Sequence, residues 1–201
     1  SKALLQFALT CRVPFVYASS AATYGANPVT RIDPANERPL NVYGYSKLVF
    51  DQHVRHLLPA AGSTVVGLRY FNVYGPNETH KGRMASMVYQ LYRQLSQTGK
   101  ARLFEGTGGY GNGEQRRDFV FVGDVVKVNF FFAEGPLRKA IVNVGTGRSR
   151  SFNDIARILI SVRGGGEIEY IPFPRELEGK YQNFTEADLS DLREAGYTQP
   201  F

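Results

Sequence analysis

The sequence predicts a mixed α/β fold built around a parallel β-sheet. Short blocks rich in β-branched and aromatic residues alternate along the chain with segments whose apolar residues follow helical spacing. Loops rich in glycine, proline and polar residues separate these blocks. Strands that alternate with helices are typical of a parallel sheet, and 201 residues that are 43% hydrophobic supply enough material for its core.

Each element follows from its own local pattern. Pro59 is expected to end the first long helix and Gly135-Pro136 the third, because proline cannot continue a helix. The predicted strands are Val13–Ala18, Thr64–Tyr70, Ala101–Phe104, Phe119–Val122, Ile141–Val144 and Ile168–Ile171. The predicted helices, after a helix tail at Lys2–Thr10, are Val42–Leu58, Met84–Gln97, Asp124–Glu134, Asn153–Val162 and Glu186–Ala195. The loops at their ends are where ligands bind in open α/β sheets.

The start of the chain lacks the glycine-rich turn that binds a dinucleotide in such folds. A helix tail leads directly into Val13–Ala18, so we expect a doubly wound sheet without its first strands. One G-x-G-x-x-G sequence does occur, at Gly106, Gly108 and Gly111. That fingerprint requires a strand that leads into a helix, whereas this stretch lies between two strand-like blocks. We therefore predict a mobile glycine-rich loop there.

The charge and composition of the chain indicate which kinds of partner it can have. The net charge of +6 and the pI near 9.5 come from scattered lysines and arginines, with no run longer than a pair such as Arg116-Arg117. This distribution suits small anionic ligands better than nucleic acid. The single cysteine, Cys11, predicts a reducing compartment and is expected to be a buried packing thiol. No apolar run approaches the roughly 18 residues of a membrane span, so we expect a cytoplasmic protein without a membrane partner; no metal site is predicted.

Three side chains suit proton transfer at an alcohol. Tyr43 and Lys47 are four residues apart on a predicted helix and therefore share a face. A nearby cation favours the phenolate form of a tyrosine, which can act as a general base. Ser20 is placed at the carboxyl end of a predicted parallel strand, where its hydroxyl can bind a substrate oxygen. A surface helix pair and a turn serine are the ordinary alternatives.

Five stretches resemble the extended short-chain dehydrogenase/reductases, the NAD-dependent epimerase/dehydratase family. They are SSAATYG (19–25), YGYSK (43–47), RYFNVYG (69–75), RDFVFVGDV (117–125) and NVGTG (143–147). The resemblance implies a Rossmann-type sheet with a smaller α/β substrate-binding domain, and a nicotinamide cofactor. It also suggests a partition into residues 1–75 (the remaining part of the Rossmann domain), 76–118 (a substrate-domain segment), 119–150 (a return to the Rossmann domain) and 151–201 (the C-terminal substrate-binding domain).

Four longer stretches are similar to the ADP-glyceromanno-heptose 6-epimerases within that group. They are NVYGYSK (41–47), RYFNVYGPNETHKGRMAS (69–86), FEGTG (104–108) and the segment 168–197; the most specific piece is His80-Lys81-Gly82 followed by Met84-Ala85-Ser86. The resemblance implies NADP as cofactor and ADP-heptose as substrate, with inversion at C6 through a transient ketone during heptose supply for lipopolysaccharide. It further implies a homo-oligomer, in that family a pentamer.

The same resemblance assigns roles to individual residues. Tyr43 and Lys81 would serve opposite sugar faces, Ser20 would assist, and Lys47 would orient the nicotinamide ribose, with Val73 beside the nicotinamide. Lys81 suits a base only if desolvation favours its neutral form, and a phosphate contact is the alternative. Tyr43 and Lys81 would also touch the cofactor. The predicted substrate contacts are Ser20, Asn72, Arg83, Gln90, Phe104, Glu105, Gly106, Thr107, Arg117 and Tyr181.

Rival functions remain open at this point. A UDP- or dTDP-sugar 4-epimerase or a dehydratase of the same superfamily shares the general motifs, and a non-catalytic nucleotide-sugar-binding module could use the same scaffold. A dehydratase would be expected to carry an Asp-Glu pair after Ser20, where this chain has Ala21-Ala22-Thr23. The stretch Gly108–Gln115 is longer and richer in glycine than the resemblance implies, and Arg83 replaces a smaller polar residue.

Overall fold

The structure is a computed structural model that describes residues Ser1–Phe201, and it contains six α-helices and eight β-strands. The helices are α1 (Lys2–Cys11), α2 (Val42–Leu57), α3 (Met87–Thr98), α4 (Val122–Glu134), α5 (Phe152–Arg163) and α6 (Ser190–Glu194). The strands are β1 (Phe15–Ser20), β2 (Val65–Tyr70), β3 (Asn72–Tyr74), β4 (Lys100–Phe104), β5 (Arg116–Phe121), β6 (Lys139–Val144), β7 (Ser149–Ser151) and β8 (Glu167–Ile171).

The main sheet consists of three parallel strands in the order β1-β2-β6. Ser20 is in register with Tyr70, and Tyr70 with Val144, so the carboxyl ends of all three strands lie at one edge. This arrangement confirms the predicted α/β fold with a parallel sheet. It also brings the loops that follow β1 and β2 to the same edge, where parallel sheets bind ligands.

Apolar cores cover both faces of the main sheet. On one face α4 and α6 pack on β2 and β6 through a cluster centred on Leu68, Val128 and Leu192. On the other face α1 and α2 pack through Leu5 and Val54. All five side chains are fully buried. Strands that are covered on both faces need apolar residues at nearly every position. The sequence of β2 follows this rule except at Arg69.

A second core lies beside the main sheet. Leu91 and Leu95 of α3, Leu103 of β4 and Ala156 of α5 form its buried centre together with Phe119 of β5. Here β4 pairs in parallel with β8, while β5 pairs in parallel with β3 and antiparallel with β7. The short strands β3 and β7 were not predicted, because three residues are too few to show alternation. The partition into four segments stays a prediction.

Two helices begin later than predicted. Residues Thr79–Met84 form a 3₁₀ turn, and α3 starts only after Ser86, whose hydroxyl accepts a hydrogen bond from the Tyr89 amide at 3.2 Å. The predicted helix Glu186–Ala195 is reduced to α6, because the amides of Ala187 and Asp188 donate to Asp118 and Thr30 instead of forming a helical turn. Side-chain capping overrides apolar spacing in both cases.

Two of the sequence motifs meet at Asp118. Its Oδ1 accepts from the Thr146 amide (2.8 Å) and hydroxyl (2.7 Å), and its Oδ2 accepts from the amides of Gly147 (2.9 Å) and Ala187 (3.0 Å). A Cβ at Gly145 would lie 2.7 Å from both Asp118 Oδ2 and the Ala187 Cβ, so this close approach requires glycine. RDFVFVGDV and NVGTG therefore join β5 to the end of β6.

The exposure of Cys11 differs from the prediction. It lies at the end of α1 and its thiol is exposed, so the prediction of a buried packing thiol is wrong. The apolar spacing of α1 places Leu5 and Ala8 in the core, and Cys11 falls outside that stripe. None of the helices is long and apolar enough to cross a bilayer.

Candidate active site

A cavity of about 440 Å³ opens at the carboxyl ends of β1 and β2. We call it the polar cavity. Besides Ala18, Ser19, Tyr70, Phe71, Met84, Ala85, Met87 and Phe119, it is lined by Ser20, Tyr43, Lys47, Asn72, Val73, Glu78, Lys81 and Ser86. The fold therefore brings together all four residues predicted to be catalytic, from three separate parts of the sequence.

Ser20 is held in place by the turn that follows β1. Its Oγ accepts a hydrogen bond from the Ala22 amide at 3.1 Å and so caps the short 3₁₀ turn Ala21–Tyr24. Because this bond uses an oxygen lone pair, the hydroxyl proton stays available to a substrate oxygen. The residues after Ser20 place no carboxylate beside it.

Tyr43 and Lys47 project from the first two turns of α2. Asn41 caps the helix by accepting from the Gly44 amide at 2.9 Å, and a Cβ on Gly44 would lie 2.6 Å from the Ala22 oxygen. The helix can thus approach the turn after β1 only with glycine at this position. Lys47 donates to the Ala18 oxygen at 2.9 Å, and its Nζ lies 5.7 Å from the centre of the Tyr43 ring. The phenol itself is 56% exposed and open to a ligand.

Lys81 reaches the polar cavity from the loop after β3. Its side chain is 45% exposed, and its Nζ lies 3.7 Å from Oε2 of Glu78, whose side chain is only 3% exposed. Burial acts to raise the pKa of Glu78, but hydrogen bonds from Ser86 and Gly75 and the nearby Lys81 ammonium lower it overall. The Lys81 side chain is therefore only partly removed from solvent and lies next to a carboxylate. Its role in proton transfer stays a prediction.

A second cavity, of about 240 Å³, lies between β4, α5 and the segment after β8. We call it the apolar cavity. It is lined by Met87, Arg102, Leu103, Phe104, Gln115, Phe152, Leu177 and Tyr181. Phe104, Phe173 and Tyr181 form a cluster of edge-to-face aromatic contacts, with ring centres 5.4 to 6.3 Å apart. Such a wall suits a flat ring or a hydrophobic ligand surface.

Arg117 is buried beside the apolar cavity without a carboxylate partner. Its guanidinium lies 4.8 Å from the centre of the Tyr181 ring and 5.6 Å from that of Phe152, and its Nη1 donates to the Arg116 oxygen at 2.9 Å. Burial lowers the pKa of Arg117, and burial raises that of Tyr181. A buried guanidinium that lacks an anion is poised to bind one, and its planar fork fits a phosphate.

Met87 lines both cavities, so the polar and apolar cavities adjoin at this side chain. An elongated ligand can therefore extend from Tyr43 and Ser20 to Phe104 and Tyr181. A nucleotide sugar has that form, with a polar sugar at one end, a diphosphate, and an aromatic base at the other.

The remaining predicted substrate contacts are divided between two places. Glu105, Gly106 and Thr107 follow Phe104 in the glycine-rich loop, which is pinned by bonds from the Gly106 amide to Asn112 Oδ1 and from the Tyr110 amide to the Thr107 oxygen. This loop does lie between strands β4 and β5, as predicted, and its mobility stays a prediction.

Arg83 and Gln90 lie apart from the other predicted contacts. They line a separate groove beside α3. There the side-chain Nε2 of Gln90 donates to the backbone oxygens of Arg83 at 3.2 Å and Ala85 at 2.8 Å. The structure does not bring either residue to the polar or the apolar cavity, and their contact with substrate stays a prediction.

Sequence reasoning missed Glu78, Ser86, Met87 and Gln115. The spacing of Glu78 and Lys81, three residues apart, was a usable signal for a pair of opposite charges. Gln115 is buried and its Nε2 donates to the Glu105 oxygen at 3.1 Å, so it supports the loop beside the apolar cavity. Nothing local in the sequence marks Met87 as the boundary of two cavities.

Residues 1–145 match the model of the NAD dependent epimerase/dehydratase family. The chain belongs to this family. Its members are described as NAD dependent, so the cofactor class is a nicotinamide dinucleotide. The polar cavity fits the nicotinamide end of such a cofactor, because the cavity opens at the carboxyl ends of parallel strands and presents Tyr43, Lys47 and Val73.

Individual relatives are consistent with this family. The chain is 57% identical over 196 residues to ADP-L-glycero-D-manno-heptose-6-epimerase of Alkalilimnicola ehrlichii, covering 98% of this chain and 61% of that protein. It is 36% identical to the solved Helicobacter pylori ADP-L-glycero-D-manno-heptose-6-epimerase, with a TM-score of 0.83 over 98% of this chain and 59% of that one. It is 25% identical to the Thermus thermophilus UDP-glucose 4-epimerase complex with NAD, with a TM-score of 0.77 over 97% and 62% of the two chains. The chain thus spans about three fifths of the length of these relatives.

Proposed function

We propose that this chain carries the catalytic and substrate-binding part of an isomerase that inverts C6 of ADP-D-glycero-D-manno-heptose. The single observation that carries the proposal is the position of Tyr43 and Lys81, which reach one cavity from separate elements, α2 and the loop after β3. Inversion without rotation of the sugar in the site calls for proton transfer on both of its faces, and two groups that approach from different directions can supply it. The relatives named for heptose epimerisation support the choice of substrate.

The reaction divides between the residues as follows. Oxidation removes a hydride from C6 and a proton from its hydroxyl, and the ketone is then reduced on the opposite face. When bound, the nicotinamide dinucleotide accepts the hydride and later returns it. Tyr43 takes or returns the hydroxyl proton for one epimer and Lys81 for the other. Ser20 donates a hydrogen bond to the reacting oxygen.

The apolar cavity supports the assignment of the nucleotide end. Arg117, which has no carboxylate partner, binds the diphosphate, while Phe104, Tyr181 and the loop residues Glu105–Thr107 hold the ADP portion. Asn72 at the start of β3 contacts the sugar. In the polar cavity, Lys47 and Val73 hold the nicotinamide side of the cofactor, with Tyr43 and Lys81 also within its reach.

We further propose NADP rather than NAD as cofactor, a cytoplasmic homo-oligomer, in that family a pentamer, and a role in lipopolysaccharide heptose supply. These choices rest on the resemblance to the heptose epimerases. Cofactor preference is checked by the ratio of kcat/KM for NADP and NAD in cofactor-depleted enzyme. Oligomer size is checked by light scattering of the complete enzyme.

A dehydratase is disfavoured by the polar cavity. Elimination of water needs a carboxylate acid/base pair beside the reacting sugar, whereas the only carboxylate among the lining residues is Glu78, which already accepts three hydrogen bonds. A UDP- or dTDP-sugar 4-epimerase is distinguished from the proposed enzyme by the nucleotide sugar that it turns over. Turnover of UDP-galactose or dTDP-glucose without turnover of ADP-heptose would overturn the ADP-heptose assignment.

Isotope transfer tests the redox route. ADP-heptose deuterated at C6 is given to the complete enzyme, and the product epimer is isolated. The proposal predicts that deuterium stays at C6 and that unlabelled substrate gains none from D₂O. Incorporation of solvent deuterium at C6 would show direct removal of a proton from carbon, and the proposed mechanism would be wrong.

A further inference from the structure

Glu78 is a buried carboxylate in the polar cavity to which no step of the proposed reaction has been assigned. Its Oε1 accepts from the Gly75 amide at 3.2 Å and the Ser86 hydroxyl at 2.7 Å. Its Oε2 accepts from the Ser86 amide at 2.7 Å and lies 3.7 Å from Nζ of Lys81. One carboxylate thus closes the loop between the end of β3 and the start of α3 and still faces the lysine.

The hydrogen bonds to Glu78 favour its charged form. Hydrogen bonds from donors stabilise its charged form, and they lower its pKa despite burial. The charged carboxylate of Glu78 is therefore favoured and is held in place by its donors. A carboxylate fixed in this way attracts the nearby Lys81 side chain and determines where it rests.

The other charged or titratable groups that line the polar cavity lie on different elements. Tyr43 and Lys47 belong to α2, and Tyr70 belongs to β2, where its hydroxyl is bonded to Asn129 at 3.0 Å. Glu78 is thus the only anionic partner that the lining offers to Lys81. The backbone also joins the two residues, because the Lys81 amide donates to the backbone carbonyl oxygen of Glu78 at 3.0 Å.

The turn at Gly82 gives Lys81 little other support. It follows Lys81 with φ near +54°, and a Cβ there would meet no atom within 4 Å, so the turn is shaped by backbone conformation and not by packing. Lys81 and Gly82 are both exposed. Without Glu78, the Lys81 side chain has no other contact among the salt bridges or hydrogen bonds of the chain to fix its position.

We propose that Glu78 is a positioning residue for Lys81, holding its side chain at the sugar face opposite Tyr43. The inference rests on the proposed epimerase function. It extends that function by naming the group that determines the position of the second proton-transfer group.

The experiment is a double-mutant cycle in the complete enzyme with its nicotinamide cofactor, assayed with ADP-heptose. Glu78→Gln is measured alone, with Lys81→Met and with Tyr43→Phe, and kcat and KM are determined separately. We expect Glu78→Gln to lower kcat about tenfold, within the range of couplings between contacting residues, and to leave KM within about twofold. In the Lys81→Met background, Glu78→Gln should lower kcat by less than about twofold. In the Tyr43→Phe background it should lower kcat by the same factor of about ten as in the unmodified enzyme.

Ser86→Ala is the matched control. It removes one hydrogen bond from Glu78 and loosens the same loop, but it keeps the carboxylate beside Lys81. We expect a loss in melting temperature comparable with that of Glu78→Gln and a smaller change in kcat. If Glu78→Gln fails to fold, Glu78→Asp, which keeps the charge on a shorter arm, replaces it in the cycle with the same expected non-additivity.

Two results would overturn the inference. One is an unchanged kcat in Glu78→Gln, and the other is a raised KM that persists in the Lys81→Met background, which would make Glu78 a loop brace alone. Failure of the parent proposal has a different signature, because Lys81→Met by itself would then epimerise normally.

Discussion

Two arginines are buried in this fold, and their surroundings are opposite. Arg69 of β2 is 0% exposed and is held by two carboxylates, with its Nε 2.9 Å from Asp51 Oδ2 and its Nη2 bonded to Glu37. Arg117 of β5 is 6% exposed and faces aromatic rings, including that of Tyr181, with no carboxylate. The guanidinium of Arg69 is paired with carboxylates, whereas that of Arg117 has no carboxylate partner.

The pKa shifts follow the same division. Burial acts to lower the pKa of Arg69, but Tyr24, Asp51 and Glu37 raise it overall. Burial also acts to lower the pKa of Arg117, and there no carboxylate offsets it, so the pKa falls. An unpaired buried charge destabilises a protein unless a ligand pairs with it. The comparison indicates that Arg69 serves the fold, and it motivates the proposal that Arg117 binds a ligand anion at some expense in stability.

The largest expected effect is on stability at Arg69. Arg69→Met leaves the buried carboxylates of Asp51 and Glu37 without a shared cation, which we expect to lower the free energy of unfolding by about 3 to 5 kcal/mol. Arg55→Met is the control, because Arg55 pairs with Glu37 alone and is partly exposed. It should cost about 1 kcal/mol or less. Urea unfolding of the complete enzyme measures both, and equal losses would contradict the distinction.

Arg117 should show the reverse behaviour. We expect Arg117→Met to leave the free energy of unfolding unchanged or slightly raised, because it removes a buried charge that has no partner. Affinity for ADP should fall by about 1.5 to 3 kcal/mol, the scale of a hydrogen bond to a charged group, while affinity for adenosine stays the same. Calorimetry with the two ligands measures the difference. A loss in stability with normal ADP binding would place Arg117 beside Arg69 as a structural residue.

The smallest expected effect is acid sensitivity at Glu37. Burial acts to raise its pKa, but Arg55 and Arg69 lower it overall in the folded protein. A carboxyl with a depressed folded pKa adds stability above its ordinary value of about 4.3, and this stability is lost as the pH falls through the folded pKa. In Arg55→Met the urea midpoint of unfolding should therefore decline less steeply between about pH 5 and about pH 3. An identical decline would show that Arg55 does not contribute to the shift.

Much of this site could be predicted from the sequence because its key groups belong to local patterns. Tyr43 and Lys47 are one helical turn apart, and Ser20 ends a strand, so their meeting at one sheet edge follows from parallel topology. Lys81 and Arg117 came from family resemblance, because neither lies in a pattern with a chemical meaning of its own.

The rest depends on contacts between distant segments. The difference between Arg69 and Arg117 cannot be read from either sequence neighbourhood, since Asp51 and Glu37 lie 18 and 32 residues away from Arg69. The late start of α3 depends on Ser86 and Glu78, whose bonds form only when the loop closes. Tertiary hydrogen bonds, unlike apolar periodicity, leave no regular trace in the sequence.

In the proposed function the apolar cavity binds the nucleotide and the chemistry takes place in the polar cavity, and one matched measurement tests this division directly. Arg117→Met and Lys81→Met each replace one cation by the same apolar side chain, the first beside the apolar cavity and the second in the lining of the polar cavity. Steady-state kinetics of the complete enzyme with ADP-heptose should give Arg117→Met a KM raised about tenfold or more with kcat retained. Lys81→Met should lower kcat by about 10² with KM within about tenfold. If both variants raise KM and keep kcat, Lys81 is a phosphate contact and the division between the cavities is wrong.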